Sequence, residues 1–322
     1  MRAVVFTGAG GSEVVRVEER PDPVPGSDEV LVAAAFAGLN PADTLQQAGR
    51  YPAPPGSPAD VPGLEVAGVV VARGAGVRGW EAGDRVFGIV GGGGLADRVA
   101  VHERHLARVP DALSERDAAA VPEVFVTAHD AVFTQAGLRL GDVLLVNGAA
   151  GGVGTAAVQL GLSAGARVLA SVRSAETRER MAALGMESFA PDEAFERARA
   201  AGGADVVLEL VGAPNLEADL DALAPRGTIA VVGTGAGAEA TLSLRKLMGK
   251  RGRIFGTGLR VRALEEKAAA IQAFAHEVVP LLAAGRALAV VDRVFPAEEA
   301  AEALDYLGRP GKLGKVLLAF AA

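Results

Sequence analysis

The chain has 322 residues, half of them hydrophobic, so it can bury the cores of about two domains. It has no cysteine, which excludes disulfides, thiolate nucleophiles and the commonest zinc ligands. Its net charge of −7 argues against a nucleic-acid partner. No apolar run approaches the ~20 residues of a membrane-spanning helix, and glycines break the start M-R-A-V-V-F-T-G too early for a signal peptide. We therefore expect a soluble cytoplasmic protein.

Residues 1–120 are predicted to be rich in short β-strands. The strand-like runs are V-L-V-A-A-A-F-A, V-A-G-V-V-V-A and A-D-R-V-A-V. They are separated by the turn-forming segments P-D-P-V-P-G, P-A-P-P-G-S-P and G-G-G-G. This spacing is typical of a β-rich domain.

From residue 121 to residue 258, predicted strands alternate with predicted helices. We expect strands at Asp142–Asn147, Arg167–Val172, Asp205–Leu210 and Thr228–Gly233. We expect helices at Gly152–Ala164, Ala175–Leu184 and Leu216–Leu223. A βαβαβ order implies a doubly wound parallel sheet with right-handed crossovers.

The segment 259–322 returns to the character of the first domain. A long helix is predicted over Glu265–Ala284, with Pro280 kinking its last turn. The strand-like runs V-V-D-R-V-F and G-K-V-L-L-A-F follow it. The α/β unit is therefore predicted to be inserted between two pieces of one β-rich domain.

A glycine-rich turn, A-A-G-G-V-G, follows the first strand of the α/β unit. The pattern is the dinucleotide-binding fingerprint with Ala149 in place of its first glycine. Gly151 would let a pyrophosphate approach the backbone, and Gly154 would let the following helix lie close to the sheet. A tight turn without a ligand would use the same glycines. The strand–turn–helix context favours a phosphate cradle, formed by Ala149, Gly151, Gly152, Val153 and Gly154.

The end of the second strand, A-S-V-R-S-A-E-T-R, indicates which nicotinamide cofactor is bound. It offers Ser171, Arg173 and Arg178, and no acid before Glu176. A carboxylate there would repel a 2′-phosphate, whereas arginine can bind it with a planar fork. NADPH is therefore favoured over NADH, the alternative being that the arginines only solvate a helix start.

Three further motifs carry a family resemblance: A-G-L-N-P-A-D-T-L at 37–45, P-G-L-E-V-A-G at 62–68 and G-D-R-V at 83–86. With the glycine turn, they make the chain resemble the medium-chain dehydrogenase/reductase superfamily. R-Y-P-A-P-P-G, L-R-K-L-M-G-K-R-G and G-K-L-G-K-V-L resemble its zinc-independent quinone oxidoreductase (zeta-crystallin-like) family. The resemblance implies a Rossmann sheet inserted in a GroES-like catalytic domain, and we expect a homodimer.

The chain departs from the zinc alcohol dehydrogenases at the metal ligands. Those enzymes carry a Cys where this chain has Asn40 and a Gly-His-Glu where it has Gly63-Leu64-Glu65, and neither Asn40 nor Leu64 can replace a zinc ligand. No bound metal is predicted. Glu65 is expected to be structural and paired with an arginine. The four histidines have no ligand spacing: His102, His105, His129 and His276.

The resemblance places Asn40, Asp43 and Tyr51 around the nicotinamide and the substrate. The Asn40 amide and the Tyr51 hydroxyl are candidate donors to an acceptor oxygen that becomes negative as hydride arrives. The structural alternatives are a turn former for Asn40, a helix cap for Asp43 and loop packing for Tyr51.

The resemblance also implies a set of cofactor contacts. Thr127 would lie against the nicotinamide ribose or amide. The lysine that many relatives use on the 2′-phosphate falls at Thr177, which leaves that phosphate to Ser171, Arg173 and Arg178. The remaining predicted contacts lie in loops after later strands and near the C-terminus. They are Leu210–Gly212, Gly233, Thr234, Thr257, Gly258, Leu259 and Gly314-Lys315.

The predicted reaction is hydride transfer from NADPH to a quinone or to the activated C=C of an enone, with the cofactor supplying the chemistry and the protein its orientation. Two alternatives remain at this point. One is an enoyl-thioester reductase, and the other is a non-catalytic, crystallin-like protein that binds NADPH.

Overall fold

The structure, a computed structural model, describes residues 1–320 and has an α/β unit between two β-rich parts of the chain. The strands before this unit are β1 (Arg2–Phe6), β2 (Val15–Glu19), β3 (Glu29–Ala33), β4 (Phe36–Leu39), β5 (Glu65–Arg73), β6 (Arg85–Ile89), β7 (Arg98–His102) and β8 (Leu106–Arg108). The helices of this part are α1 (Pro41–Gln47) and α2 (Glu115–Ala118).

The α/β unit contributes the next six strands and six helices. Its strands are β9 (Val143–Asn147), β10 (Arg167–Ser171), β11 (Ser188–Phe189), β12 (Ala204–Glu209), β13 (Leu223–Val231) and β14 (Arg253–Gly256). Its helices are α3 (Pro122–His129), α4 (Gly152–Ser163), α5 (Ala175–Ala183), α6 (Pro191–Ala200), α7 (Leu216–Ala222) and α8 (Leu244–Lys250). The elements after it are α9 (Leu264–Glu277), α10 (Val279–Ala283), β15 (Val291–Pro296), α11 (Ala300–Leu307) and β16 (Lys315–Ala319).

The α/β unit is a Rossmann fold. Its six strands form one parallel sheet in the order β11-β10-β9-β12-β13-β14, as the alternating pattern predicts. Strand β9 is buried along its whole length, which is why it reads as an unbroken apolar run in the sequence. Because the strand order reverses beside β9, the turn that follows β9 opens into a crevice at the edge of the sheet.

The β-rich domain is completed by both ends of the chain. One sheet has the antiparallel order β7-β3-β5-β6-β8, and β1 pairs with β2. In a third sheet, β16 pairs antiparallel with β4 and parallel with β15. The insertion predicted from the sequence is therefore present. We propose residues 121–258 as the limits of the inserted unit, since α3 begins at Pro122 and β14 ends at Gly256.

Two predictions of local structure differ from the fold. The helix predicted over 265–284 is two helices, α9 and α10, separated at Val278. Pro280 lies in the first turn of α10, where its missing N–H costs no helical hydrogen bond.

Among the helices of residues 1–320, none combines the length and the apolarity that crossing a bilayer requires.

Candidate functional site

The glycine turn lies between β9 and α4, and Gly154 in it is required by packing. A Cβ at Gly154 would lie 2.6 Å from both the Cα and the carbonyl oxygen of Ala149. Real Cβ atoms do not approach backbone that closely. Helix α4 can therefore lie against the end of β9 only with glycine here, as the fingerprint predicts.

Gly151 is different, because nothing in the protein requires it to be glycine. Its φ of −72° and ψ of 171° are ordinary extended values that any residue adopts. A Cβ there would meet only the carbonyl oxygen of Gly148, at an uncrowded 3.7 Å. The room beside Gly151 is thus left open by the fold, which is what the close approach of a ligand needs.

The first amides of α4 border this room. The first helical hydrogen bond runs from the Thr155 N–H to the Gly151 carbonyl, at 2.8 Å. Three N–H groups come before this bond in the chain, those of Gly152, Val153 and Gly154. They lie at the positive end of a twelve-residue helix. Backbone amides in this arrangement suit an anion such as a pyrophosphate.

The end of β10 supplies free positive charge. The Arg173 side chain is exposed and forms no hydrogen bond with residues 1–320, so its guanidinium can meet a ligand. Arg178 donates from Nη1 to the carbonyls of Val172 and Arg173, both at 2.9 Å, and so fixes the shape of this loop. Ser171 is buried at the strand end. The nearest acid, Glu176, is exposed on the first turn of α5.

A buried carboxyl cluster that the sequence analysis missed supports the loop after β12. Oε1 of Glu209 accepts the N–H groups of Val211 and Gly212, at 2.5 and 2.6 Å. The Asn147 amide donates to Oε2 of Glu209 and to Oδ1 of Asp219. Burial and the adjacent Glu209 raise the pKa of Asp219 to about 9, so Asp219 is protonated at neutral pH. The loop after β12, which is predicted to line the cofactor, is therefore held in place by its bonds to the buried Glu209.

The other predicted loop residues are held by the protein in different ways. Gly212, with φ of 114°, and Gly233, where a Cβ would lie 2.3 Å from the Leu210 carbonyl oxygen, must be glycine for the fold. Thr234 is exposed, Gly258 has open space around it and Leu259 is buried. The Thr257 hydroxyl accepts from Gln135 and Arg262, at 2.7 and 2.6 Å.

Beside the glycine turn, where Cδ of Lys315 lies 3.0 Å from the position of a Cβ on Gly152, Asn40, Glu65 and Lys315 form a buried ammonium cluster. Nζ of Lys315 donates to Oε1 of Glu65 at 2.6 Å and to Oδ1 of Asn40 at 2.8 Å. Nδ2 of Asn40 donates to the same Glu65 oxygen at 2.9 Å. The Lys315 and Glu65 side chains are only 4% and 1% exposed. This pair is charged, buried and hydrogen-bonded on both sides.

The buried ammonium cluster corrects one expectation and bears on two others. The partner of Glu65 is Lys315 and not an arginine. The Lys315 ammonium also donates to the Leu39 carbonyl at 2.8 Å, so its three N–H groups are all used within the protein, and the contact of Gly314-Lys315 with the cofactor stays a prediction. Nδ2 of Asn40 donates to Glu65 at 2.9 Å and only weakly to the Gly38 carbonyl, at 3.4 Å, so a bond from this amide to an acceptor oxygen stays a prediction.

Asp43 caps helix α1. Its Oδ2 accepts the Asn40 N–H at 2.8 Å, which completes a capping box, and its Oδ1 accepts the Gly63 N–H at 3.1 Å. The side chain is buried, and burial raises its pKa to about 6. The alternative of a helix cap is therefore confirmed, and contact of Asp43 with a substrate stays a prediction.

Tyr51 is held at the crevice by Arg260, which comes from the segment leaving the α/β unit. The Arg260 guanidinium donates to the Tyr51 carbonyl at 3.0 Å and to the Gly91 carbonyl at 2.8 Å, and it lies 5.0 Å from the centre of the Tyr51 ring. The Tyr51 hydroxyl forms no hydrogen bond within residues 1–320. Burial raises its pKa above the ordinary tyrosine value. It is a free donor but a weak acid.

Two family models match the chain, an alcohol dehydrogenase GroES-like domain over residues 26–111 and a zinc-binding dehydrogenase domain over residues 152–276. The quinone oxidoreductase of Rattus norvegicus is 32% identical over 99% of this chain and 97% of its own length. The chain belongs to the quinone oxidoreductase family of medium-chain dehydrogenases. This family membership makes it an oxidoreductase that uses a nicotinamide cofactor and a small-molecule substrate.

Solved structures agree with the assignment to the quinone oxidoreductase family. A quinone oxidoreductase of Escherichia coli complexed with NADPH superposes with a TM-score of 0.87 at 26% identity, covering 99% of this chain and 100% of the other. The CurK enoyl reductase superposes with a TM-score of 0.86 at 26% identity, covering 99% and 98%.

The buried ammonium cluster bears on the metal content of this family member. Although one matching family model is described as zinc-binding, no group of three or more His, Cys, Asp or Glu side chains in residues 1–320 is placed to hold a metal ion. The zinc-ligand positions hold the Asn40 amide, committed to an ammonium, and the apolar Leu64.

We therefore expect an excess of EDTA to leave both turnover and melting temperature unchanged. An ammonium already neutralises Glu65, and neither Asn40 nor Leu64 is a zinc ligand. Elemental analysis of the purified protein, before and after chelation, accompanies a steady-state assay. Stoichiometric zinc that leaves together with activity would contradict this prediction.

Proposed function

We propose that the protein is an NADPH-dependent quinone oxidoreductase, which reduces a quinone or a similar conjugated carbonyl acceptor. The observation that carries the proposal is the room at Gly151, which the fold does not require and which the first amides of α4 border. NADPH supplies the hydride. The residues of the chain bind the two phosphate groups, orient the nicotinamide and exclude water from the crevice.

Two groups of residues would hold NADPH at its phosphates. The amides of Gly152, Val153 and Gly154 suit the pyrophosphate. The free guanidinium of Arg173, with Ser171 beside it and no acid before Glu176, suits the 2′-phosphate. Thr127 on α3 and the loops after β12, β13 and β14 remain our proposed contacts with the remainder of the cofactor.

Tyr51 and Arg260 suit an acceptor that gains negative charge on oxygen. Arg260 places a buried positive charge beside the Tyr51 ring, and the free Tyr51 hydroxyl can donate a hydrogen bond. A quinone offers a flat ring and two carbonyl oxygens to such a pair. The full-length relatives named quinone oxidoreductase support this choice of acceptor.

An enoyl-thioester reductase is the second candidate. It is favoured by the CurK enoyl reductase structure and by a 36% identical segment of the erythronolide synthase EryA2 of Saccharopolyspora erythraea, which spans 97% of this chain and 8% of that protein. The buried ammonium cluster commits Lys315 to Glu65 and so removes it as a proton donor to a thioester. A homodimeric state and a cytoplasmic location remain predictions, the second of them based on the composition of the chain.

A steady-state acceptor panel tests the proposed function. Consumption of NADPH is followed with quinones, simple enones and enoyl thioesters under identical conditions. We expect quinones to give the highest kcat/KM. A preference for enoyl thioesters would support the second candidate, and binding of NADPH without turnover of any acceptor would support the non-catalytic alternative.

The free guanidinium at the end of β10 predicts the choice between the two cofactors. NADPH should bind at least tenfold more tightly than NADH, about 1.4 kcal/mol, because Arg173 pairs with the 2′-phosphate. Arg173→Ala should remove most of this preference and leave NADH affinity unchanged. Fluorescence titration with both cofactors measures it, with the exposed Arg199→Ala on α6 as the matched control. Equal affinities in the wild-type protein would refute the assignment.

A further inference from the structure

Glu123, in the first turn of α3, is a carboxyl group that neither the fold nor the predicted site uses. Its backbone N–H donates to Oε2 of Glu65 at 2.9 Å, which fixes the start of α3 against the buried ammonium cluster. Its side-chain carboxyl forms no hydrogen bond within residues 1–320. The polar end of this side chain is therefore available to a ligand.

Helix α3 carries Glu123 toward the proposed cofactor crevice. Thr127, the proposed nicotinamide contact, follows Glu123 by four residues and so lies on the same face of the helix. The next residue, Val124, packs at the glycine turn, where its Cγ1 lies 2.7 Å from the position of a Cβ on Gly152. Residue 123 thus stands on α3 between two contacts, that of Val124 with the glycine turn and that of its own N–H with the buried ammonium cluster, and its side chain is half-buried.

Charged groups from every neighbouring element act on Glu123. Burial, together with the carboxylates of Glu65 and Asp43, raises its pKa to about 8, against the opposing charges of Lys315 and Lys267. Its charge also acts on Tyr51 and Arg260 at the crevice. At neutral pH Glu123 is consequently a neutral acid, and its pKa is close enough to neutral for it to release its proton.

We propose that Glu123 is a catalytic residue, the general acid that protonates the reduced acceptor. This inference rests on the proposed reductase function. Hydride carries two electrons and one hydrogen from NADPH to the acceptor, so that NADPH becomes NADP⁺ and the acceptor becomes an anion. The proton of the Glu123 carboxyl then forms the new O–H bond of the hydroquinone, and the carboxylate regains a proton from water.

The other polar groups of the crevice are less suited to this step. The Asn40 amide is committed to Glu65 and Lys315. Burial raises the pKa of Tyr51, which makes it a weaker acid than usual. Arg260 stays protonated at any working pH. General acids work best when their pKa lies near the pH of the reaction, which Glu123 satisfies.

The first test measures the protonation of Glu123 without cofactor or acceptor. Difference infrared spectroscopy compares wild-type protein with Glu123→Gln across neutral and alkaline pH. Protonated Asp219 contributes the same band to both proteins, so it cancels in the wild-type minus Glu123→Gln difference, in which we expect a protonated-carboxyl band at neutral pH that disappears near pH 8. The control Glu196→Gln, an exposed position on α6, should keep the band. An ionised Glu123 below neutral pH would overturn the proposal.

The second test measures catalysis. Glu123→Gln should lower kcat for quinone reduction about 100-fold, with the NADPH dissociation constant unchanged, because its amide cannot release a proton. The wild-type rate should fall above about pH 8, whereas the rate of Glu123→Gln should be independent of pH there. Glu123→Asp should restore part of the rate. Full activity of Glu123→Gln overturns the acid role alone, and a wild-type protein that reduces no acceptor overturns the proposed function itself.

Discussion

Gly151→Val is expected to abolish NADPH binding while the protein still folds, with only a small loss of stability. Valine adopts a φ of −72° and a ψ of 171° without strain, and its Cβ would meet only the Gly148 carbonyl oxygen. Because Gly151 is the N-cap of α4, where valine is less favourable than glycine, the free energy of unfolding should fall by no more than about 1 kcal/mol. The methyl groups of valine would fill the room that the pyrophosphate needs. We expect the dissociation constant of NADPH to rise at least about 100-fold.

Fluorescence titration of NADPH beside thermal melting measures both quantities, and Gly154→Ala is the matched control. Its Cβ would lie 2.6 Å from the Ala149 backbone, so this variant should lose about 1–3 kcal/mol of stability. The two glycines of one turn should thus fail in opposite ways. A Gly151→Val protein that binds NADPH normally would show that the turn is not the phosphate cradle.

Lys315→Met is expected to destabilise the protein by about 3–5 kcal/mol, because it leaves the Glu65 carboxylate buried without its counter-charge. The double variant Glu65→Gln/Lys315→Met removes both charges and should recover much of this loss. Chemical denaturation of the wild type, Lys315→Met, Glu65→Gln and the double variant gives the coupling energy between the two side chains.

Lys246→Met is the control for the loss of Lys315. Lys246 also pairs with carboxylates, those of Glu217 and Asp221, but all three side chains are substantially exposed. Its removal should cost no more than about 1 kcal/mol. If Lys315→Met unfolds at the same denaturant concentration as Lys246→Met, the buried ammonium cluster does not stabilise the fold.

Much of the Rossmann unit could be predicted from the sequence. Strands β9, β10 and β12 are mostly buried and read as apolar runs, so they were predicted to within about two residues. Strand β13 begins at Leu223, five residues before its predicted start, because its exposed Pro225 and Arg226 interrupt the apolar pattern. Strand β11 has only two residues and β14 only four, too few for a pattern. Helix α6 begins at Pro191, a residue that in sequence reads as a break.

The site was less predictable, because its contacts join distant parts of the chain. Lys315 and Glu65 lie 250 positions apart, and nothing in either local sequence names the other as its partner. The glycine fingerprint predicts the turn but cannot say that packing requires glycine at Gly154 and does not require it at Gly151. Glu123 stands four residues before Thr127, a helical spacing that could have indicated a shared face.

The pairing of β16 with β4 sets an order of events during synthesis. Residues 36–39 leave the ribosome long before residues 315–319, so the front domain waits for its missing strand while the whole Rossmann unit is made. Contacts within that unit close over shorter loops, which favours its folding first. The nascent chain could then bind its dinucleotide before the β-rich domain is complete. The newly made protein would be loaded with reductant before it could pass electrons to any acceptor.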